Sequence, residues 1–79
     1  MSEYTAEKTL DAQGLKCPMP VVKTSKEIKG VSVGGILEVL ATDPGSIADI
    51  TAWAKSTGNE LLEFAKDDSV FRFYIRRVK

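Results

Sequence analysis

Apolar residues alternate with polar ones in some stretches of this chain and recur at helical spacing in others. The clearest alternation is "ILEVLA", a predicted strand with Leu37, Val39 and Ala41 on one face and Ile36, Glu38 and Leu40 on the other. "LLEFAK" and "VFRFYIRRV", joined by "DDS", read as a hairpin. Its second strand turns Phe71, Phe73 and Ile75 one way and Arg72, Tyr74 and Arg76 the other. Residues 9–12 make a shorter first strand, in which Leu10 is the only large apolar side chain. Residues 18–29 follow a helical period, with Val21, Val22, Ser25 and Ile28 along one side and Gly30 as the stop. After a Gly34-Gly35 turn and the "ILEVLA" strand, "TDPGSIADITAWAKSTGN" gives a second helix. Asp43 is its expected N-cap, Pro44 its first residue, and Gly58 follows its last turn. Ile47, Ile50, Thr51 and Ala54 form its core stripe, with Trp53 at the margin.

The order β-α-β-α-β-β predicts an α+β fold, a two-layer sandwich with both helices on one face of a four-stranded mixed sheet. Right-handed crossovers run strands 1, 2 and 3 in parallel, and the hairpin makes strand 4 antiparallel. Strand 4 is the richest in β-formers and belongs inside the sheet, which gives the order 1-2-4-3. No linker, repeat or low-complexity segment divides the chain, so residues 1–79 read as one domain.

Composition narrows the chemistry. A chain of 79 residues buries too little of itself to build a deep active-site cavity, so any reactive group belongs near the surface. With 43% hydrophobic and 28% charged residues it reads as a soluble globule. No apolar run is long enough to span a bilayer, and "MSEYTAEK" contains no apolar signal region, so the expected location is cytoplasmic with no membrane partner. One cysteine cannot form an internal disulfide. With no histidine beside it, neither a metal site nor a Cys-His catalytic pair is expected, and no cofactor is called for.

That cysteine, Cys17, lies in "QGLKCPMPVV", where the predicted first helix begins. A residue before proline is disfavoured in the helical region, so Cys17 is expected at the N-cap, with Pro18 at the first and Pro20 at the third helical position. Neither proline removes a hydrogen bond the helix would otherwise make. The positive helix end favours an anion by about 0.3–1 kcal/mol, and Lys16 adds positive charge, so a bias toward thiolate is expected. Gly14 gives the preceding loop freedom. The competing reading is that Cys17 is a small buried hydrophobe.

Other features have plainer explanations. "TDPGS" has the form of a capped turn, although a helix N-terminus there could also hold an anion. Trp53 fits a partly buried core position, or an anchor for a partner. Arg72, Arg76, Arg77 and Lys79 make a basic strand end. It opens an alternative reading as a small regulatory module binding nucleic acid or protein, against which stands a chain with eleven basic and eleven acidic residues. A thiol redox regulator lacks its resolving cysteine.

"LDAQGLKCPMPV" resembles the signature of the TusA (SirA-like) sulfur-carrier family: a strand ending in Asp, then Gly-Leu, a basic residue, and Cys-Pro-x-Pro opening the first helix. "LATDPGSIADI" and "FYIRR" resemble the family's second-helix start and last strand, so the likeness extends over nearly the whole chain. The resemblance implies a sulfurtransferase in the sense of a relay protein without turnover of its own. Cys17 would carry sulfur as a persulfide, or as a thiosulfonate in sulfur oxidation. A donor such as a cysteine desulfurase or rhodanese-like protein would load it and an acceptor protein would unload it. The pathway implied is tRNA thiolation, molybdenum-cofactor synthesis or sulfur oxidation. By the same resemblance Pro18 and Pro20 shape the cysteine loop, Gly14, Leu15 and Lys16 belong to the site, and Asp11 is structural. A monomer that docks transiently to proteins, with no direct contact to nucleic acid, is the expected working form.

Overall fold

The computed structural model describes residues 4–79. The first three residues, which open the N-terminal stretch read above as free of a signal region, lie outside it. The elements run β1 Lys8–Ala12, α1 Met19–Glu27, a single 3-10 turn Ile28–Gly30, β2 Ile36–Ala41, α2 Ser46–Thr57, β3 Glu60–Asp67 and β4 Val70–Arg76. The sheet order is β1-β2-β4-β3, with β1 parallel to β2 and β4 antiparallel to both its neighbours. Fold class and strand order are those the apolar pattern predicted. Among the described residues, no helix is long and apolar enough to cross a membrane.

Alternation in β2 and β4 creates the core. Leu37, Val39, Phe73 and Ile75 are fully enclosed, and Ile50 of α2 closes over them. Ile28 and Val31 seal the end where α1 passes through its 3-10 turn. The expected helical stripes are met in part: Ile28, Ile50 and Ala54 are buried and Val21, Ile47 and Trp53 pack against the core, while Val22 and Thr51 are exposed and Pro20, Thr24 and Ser46 are buried in addition. On α1 the buried positions are Pro20, Thr24 and, just beyond its end, Ile28, four residues apart, whereas Val22 is 38% exposed. On α2 they are Ser46, Ile50 and Ala54, and Thr51 faces solvent. Small or polar residues held the contact line because each polar group has a local partner. The Thr24 hydroxyl donates to the Pro20 carbonyl at 2.7 Å, and Ser46 Oγ donates to the Asp43 carbonyl at 2.6 Å.

The other sheet face is polar but ordered. Thr9, Glu38 and Tyr74 stand in one cross-strand row, and Glu38 accepts hydrogen bonds from Thr9 Oγ1 at 2.9 Å and Tyr74 Oη at 2.8 Å. Tyr74, which shares this face with Arg72 and Arg76 as expected, is itself buried, with the Tyr4 ring 6.0 Å away. At the far end of the sheet, Ala12, Ala41 and Phe71 stand side by side across β1, β2 and β4. Because β1 and β2 are parallel neighbours, the loops that leave them at Ala12 and Ala41 emerge together. That juxtaposition sets the site.

Candidate functional site

The loop after β1 is held by backbone contacts. Gly14 takes a left-handed φ of 83°, open to glycine without strain, and its N–H donates to Thr42 Oγ1 at 2.9 Å. The Leu15 N–H reaches the Ala12 carbonyl, and Asp11 accepts from the Gln13 N–H at 3.0 Å, the structural part expected of it. Met19 N–H then donates to the Lys16 carbonyl at 2.9 Å, closing a tight turn around Cys17 and a cis Cys17–Pro18 bond. This turn shifts the helix start by one residue. Pro18, not Cys17, is the N-cap, and Pro20 is the second helical residue instead of the third. Pro20 is buried and Leu15 half-buried, while Lys16, Cys17 and Pro18 are exposed. Cys17 is therefore not a buried hydrophobe.

The loop after β2 supplies what the sequence reading missed. Asp43 was expected to cap α2, but the N-cap is Gly45. Ser46 takes the Asp43 carbonyl through both its N–H, at 3.0 Å, and its hydroxyl, which leaves the Asp43 carboxylate free to turn across to the first loop. There Asp43 Oδ2 accepts from Cys17 Sγ at 2.8 Å and lies 3.4 Å from the Cys17 N–H. Asp49, in the first turn of α2, adds a second carboxylate to the same surroundings. The thiol is pushed up to about 12 from an ordinary 9.0, first by the hydrogen bond to Asp43 and then by the Asp49 carboxylate. The expected bias toward thiolate is thus reversed. A carboxylate in contact outweighs a helix terminus worth about half a pKa unit. The signal that pointed this way was the expected strand order, since adjacent parallel strands bring their carboxyl-end loops together.

Beside the cysteine, a groove of about 400 Å³ runs between the helices, lined by Pro18, Val21, Asp49, Ala52, Trp53 and Ser56. Trp53 is half-buried and borders it. Among the described residues no group of three or more His, Cys, Asp or Glu side chains is arranged to hold a metal ion. The basic strand end is engaged elsewhere. Arg72 pairs with Asp67 at 3.2 Å and Glu38 at 3.5 Å, Arg76 pairs with Glu60, and Arg77 donates to the carbonyls of Val31, Lys29 and Lys79. The reading as a nucleic-acid module needs those guanidinium groups for phosphate.

Comparison with known proteins agrees with the geometry. The family model for sulfurtransferase TusA matches residues 8–77. The sulfur carrier protein TusA of Allochromatium vinosum is 45% identical over 77 residues, covering 98% of this chain and 99% of that one. A sulfur carrier protein TusA of Pseudomonas putida is 38% identical over 77 residues, 98% of this chain and 96% of its own. The crystal structure of a SirA-like protein from Desulfitobacterium hafniense superposes with a TM-score of 0.79 at 28% identity, covering 91% of this chain and 99% of that one.

Proposed function

The chain belongs to the sulfurtransferase TusA family, and on that premise we propose that it is a sulfur carrier whose Cys17 takes one sulfur atom from a donor protein and yields it to an acceptor protein. The load is a persulfide. In loading, the Cys17 thiolate attacks the outer sulfur of a donor persulfide, a new S–S bond forms at Cys17, the donor's own S–S bond breaks, and the donor thiolate leaves. Delivery is the same exchange with the acceptor's thiolate attacking the sulfur on Cys17. Neither step needs an oxidant, a metal or a cofactor.

The observation that supports this reading is an exposed cysteine on a loop braced by Pro18, Pro20 and the Gly14–Thr42 contact, in a chain with no second cysteine and no histidine. Such a site presents sulfur without a histidine to activate it, which suits a protein acted on by partners in turn. Gly14, Leu15, Lys16, Pro18 and Pro20 hold and frame the thiol, and the groove beside Trp53 offers a transient docking surface to a monomer. Incubation with a cysteine desulfurase and free cysteine should add about 32 Da, one sulfur, to the intact mass. Cys17→Ser should abolish the gain. A wild-type chain that gains no mass from desulfurase, rhodanese or thiosulfonate donors would refute the proposal.

A further inference from the structure

The contact between Cys17 Sγ and Asp43 Oδ2, at 2.8 Å, is at odds with a simple nucleophile. At that distance a thiol donates its proton to the carboxylate, whereas a thiolate would face a like charge. Gly45 is what allows the two groups to approach. A Cβ at that position would come within 3.0 Å of Cys17 Sγ and 3.1 Å of Asp43 Oδ2. The Gly45 backbone, at φ −66° and ψ −18°, is one that any residue adopts, so its conformation does not call for glycine. The missing side chain leaves the space in which thiol and carboxylate meet.

Two carboxylates act on the sulfur, Asp43 from the turn before α2 and Asp49 from the first turn of α2, while Lys16 precedes it on its own loop with its side chain exposed. The two acids dominate the balance, and both oppose ionisation. An empty carrier in this state is a poor nucleophile, yet loading requires one. Something that arrives with the donor must weaken the hold of Asp43.

We infer that Asp43, given room by Gly45, is a positioning residue that keeps the unloaded Cys17 as a thiol until a protein partner presents a basic side chain to the carboxylate. This deepens the relay reading and rests on it. An arginine or lysine that pairs with Asp43 occupies the oxygen that holds the S–H and offsets its negative charge. The Cys17 proton then leaves to water, and the thiolate attacks the outer sulfur of the donor persulfide as written above. The groove lined by Pro18, Val21, Ala52 and Trp53 gives such a partner an uncharged footing next to Asp49. A phosphate backbone would meet the same two acids with like charge, so the complementary surface is a cationic protein segment flanked by apolar residues.

Alkylation by iodoacetamide, followed by intact mass across pH, tests the inference without any sulfur donor. Asp43→Asn should bring the inflection of the rate profile down toward the ordinary thiol range and raise the rate near neutral pH by about tenfold or more. Gly45→Ala, whose backbone suits alanine, should shift the profile in the same direction by crowding the contact. A hexa-arginine peptide at constant ionic strength should accelerate alkylation of wild type and not of Asp43→Asn. Superimposable profiles for wild type, Asp43→Asn and Gly45→Ala would overturn the role of Asp43. Should Asp43→Asn fail to fold by circular dichroism, an unshifted Gly45→Ala would overturn it alone. Equal acceleration of wild type and Asp43→Asn by the peptide would overturn release by a basic partner. Failure of the relay itself reads out separately, as a wild-type chain that is alkylated as expected but never gains sulfur mass.

Discussion

Cys17 combines exposure with a suppressed charge, and the two have different causes. The loop leaves the sulfur exposed, while Asp43 holds its proton. The folded chain binds that proton more tightly than the unfolded chain does. The stability this contributes is complete below the ordinary thiol value of 9.0 and is lost as pH rises toward about 12. Serine at position 17 can make the same bond to Asp43 without titrating in that window. Cys17→Ser should therefore melt within about 1 kcal/mol of wild type at neutral pH, and the wild type should lose melting temperature relative to it as pH climbs through that interval. A constant difference from neutral pH upward would show that the thiol proton is not held. The thiol itself was legible from "KCPMP" and the family resemblance it carries. Its charge state was not, because the group that decides it lies 26 residues away.

At the level of elements, the sequence located every strand and both helices and the buried faces of β2 and β4, but it missed part of the line each helix buries. Helical period fixes the spacing of contact positions and leaves the rotation of the helix to the sheet beneath. Pro20 and Thr24 on α1 and Ser46 on α2 are absent from the expected stripes, and they can be buried because the hydroxyls of Thr24 and Ser46 each satisfy themselves on a nearby carbonyl. The basic strand end is a similar case. Arg77 reaches back 46 residues to donate to Val31 O at 2.8 Å, and at 3.2 Å to Lys29 O, tying the end of β4 to the turn that follows α1. Arg77→Ala should cost about 1–3 kcal/mol in denaturant unfolding, and Arg77→Lys should recover only part, since an ammonium lacks the planar fork. Unchanged stability in Arg77→Ala would mean that this guanidinium is free for an external anion.

Across the whole molecule, stability and chemistry occupy different ground. The enclosed layer of Leu37, Val39, Phe73, Ile75 and Ile50 lies between the sheet and the helices, while Cys17, Asp43 and Gly45 sit on the two loops at one end. Leu37→Ala removes a side chain of zero exposure and should cost about 3 kcal/mol, a fall in melting temperature on the order of 15 °C for a domain of this size. A loss below about 1 kcal/mol would show that the core collapses around the gap. Strand order was legible because β4 carries apolar residues and β-formers suited to a central position, and the parallel pairing of β1 and β2 follows from the crossover through α1. The meeting of the two loops followed from that order. The hydrogen bonds made there did not, since they depend on which polar groups the Ser46 contacts leave unpaired.

A sulfur carrier spends time unloaded, and an exposed sulfur waiting in that state meets peroxide as readily as it meets a donor. Irreversible damage begins with the thiolate, climbing from sulfenic to sulfinic and sulfonic acid. If Asp43 holds the thiol proton as inferred above, the bond from Cys17 Sγ keeps that species scarce, and the carboxylate that slows loading would also preserve the idle protein. On that inference an open position need not mean ready oxidation, because the proton, rather than a covering side chain, is the shield.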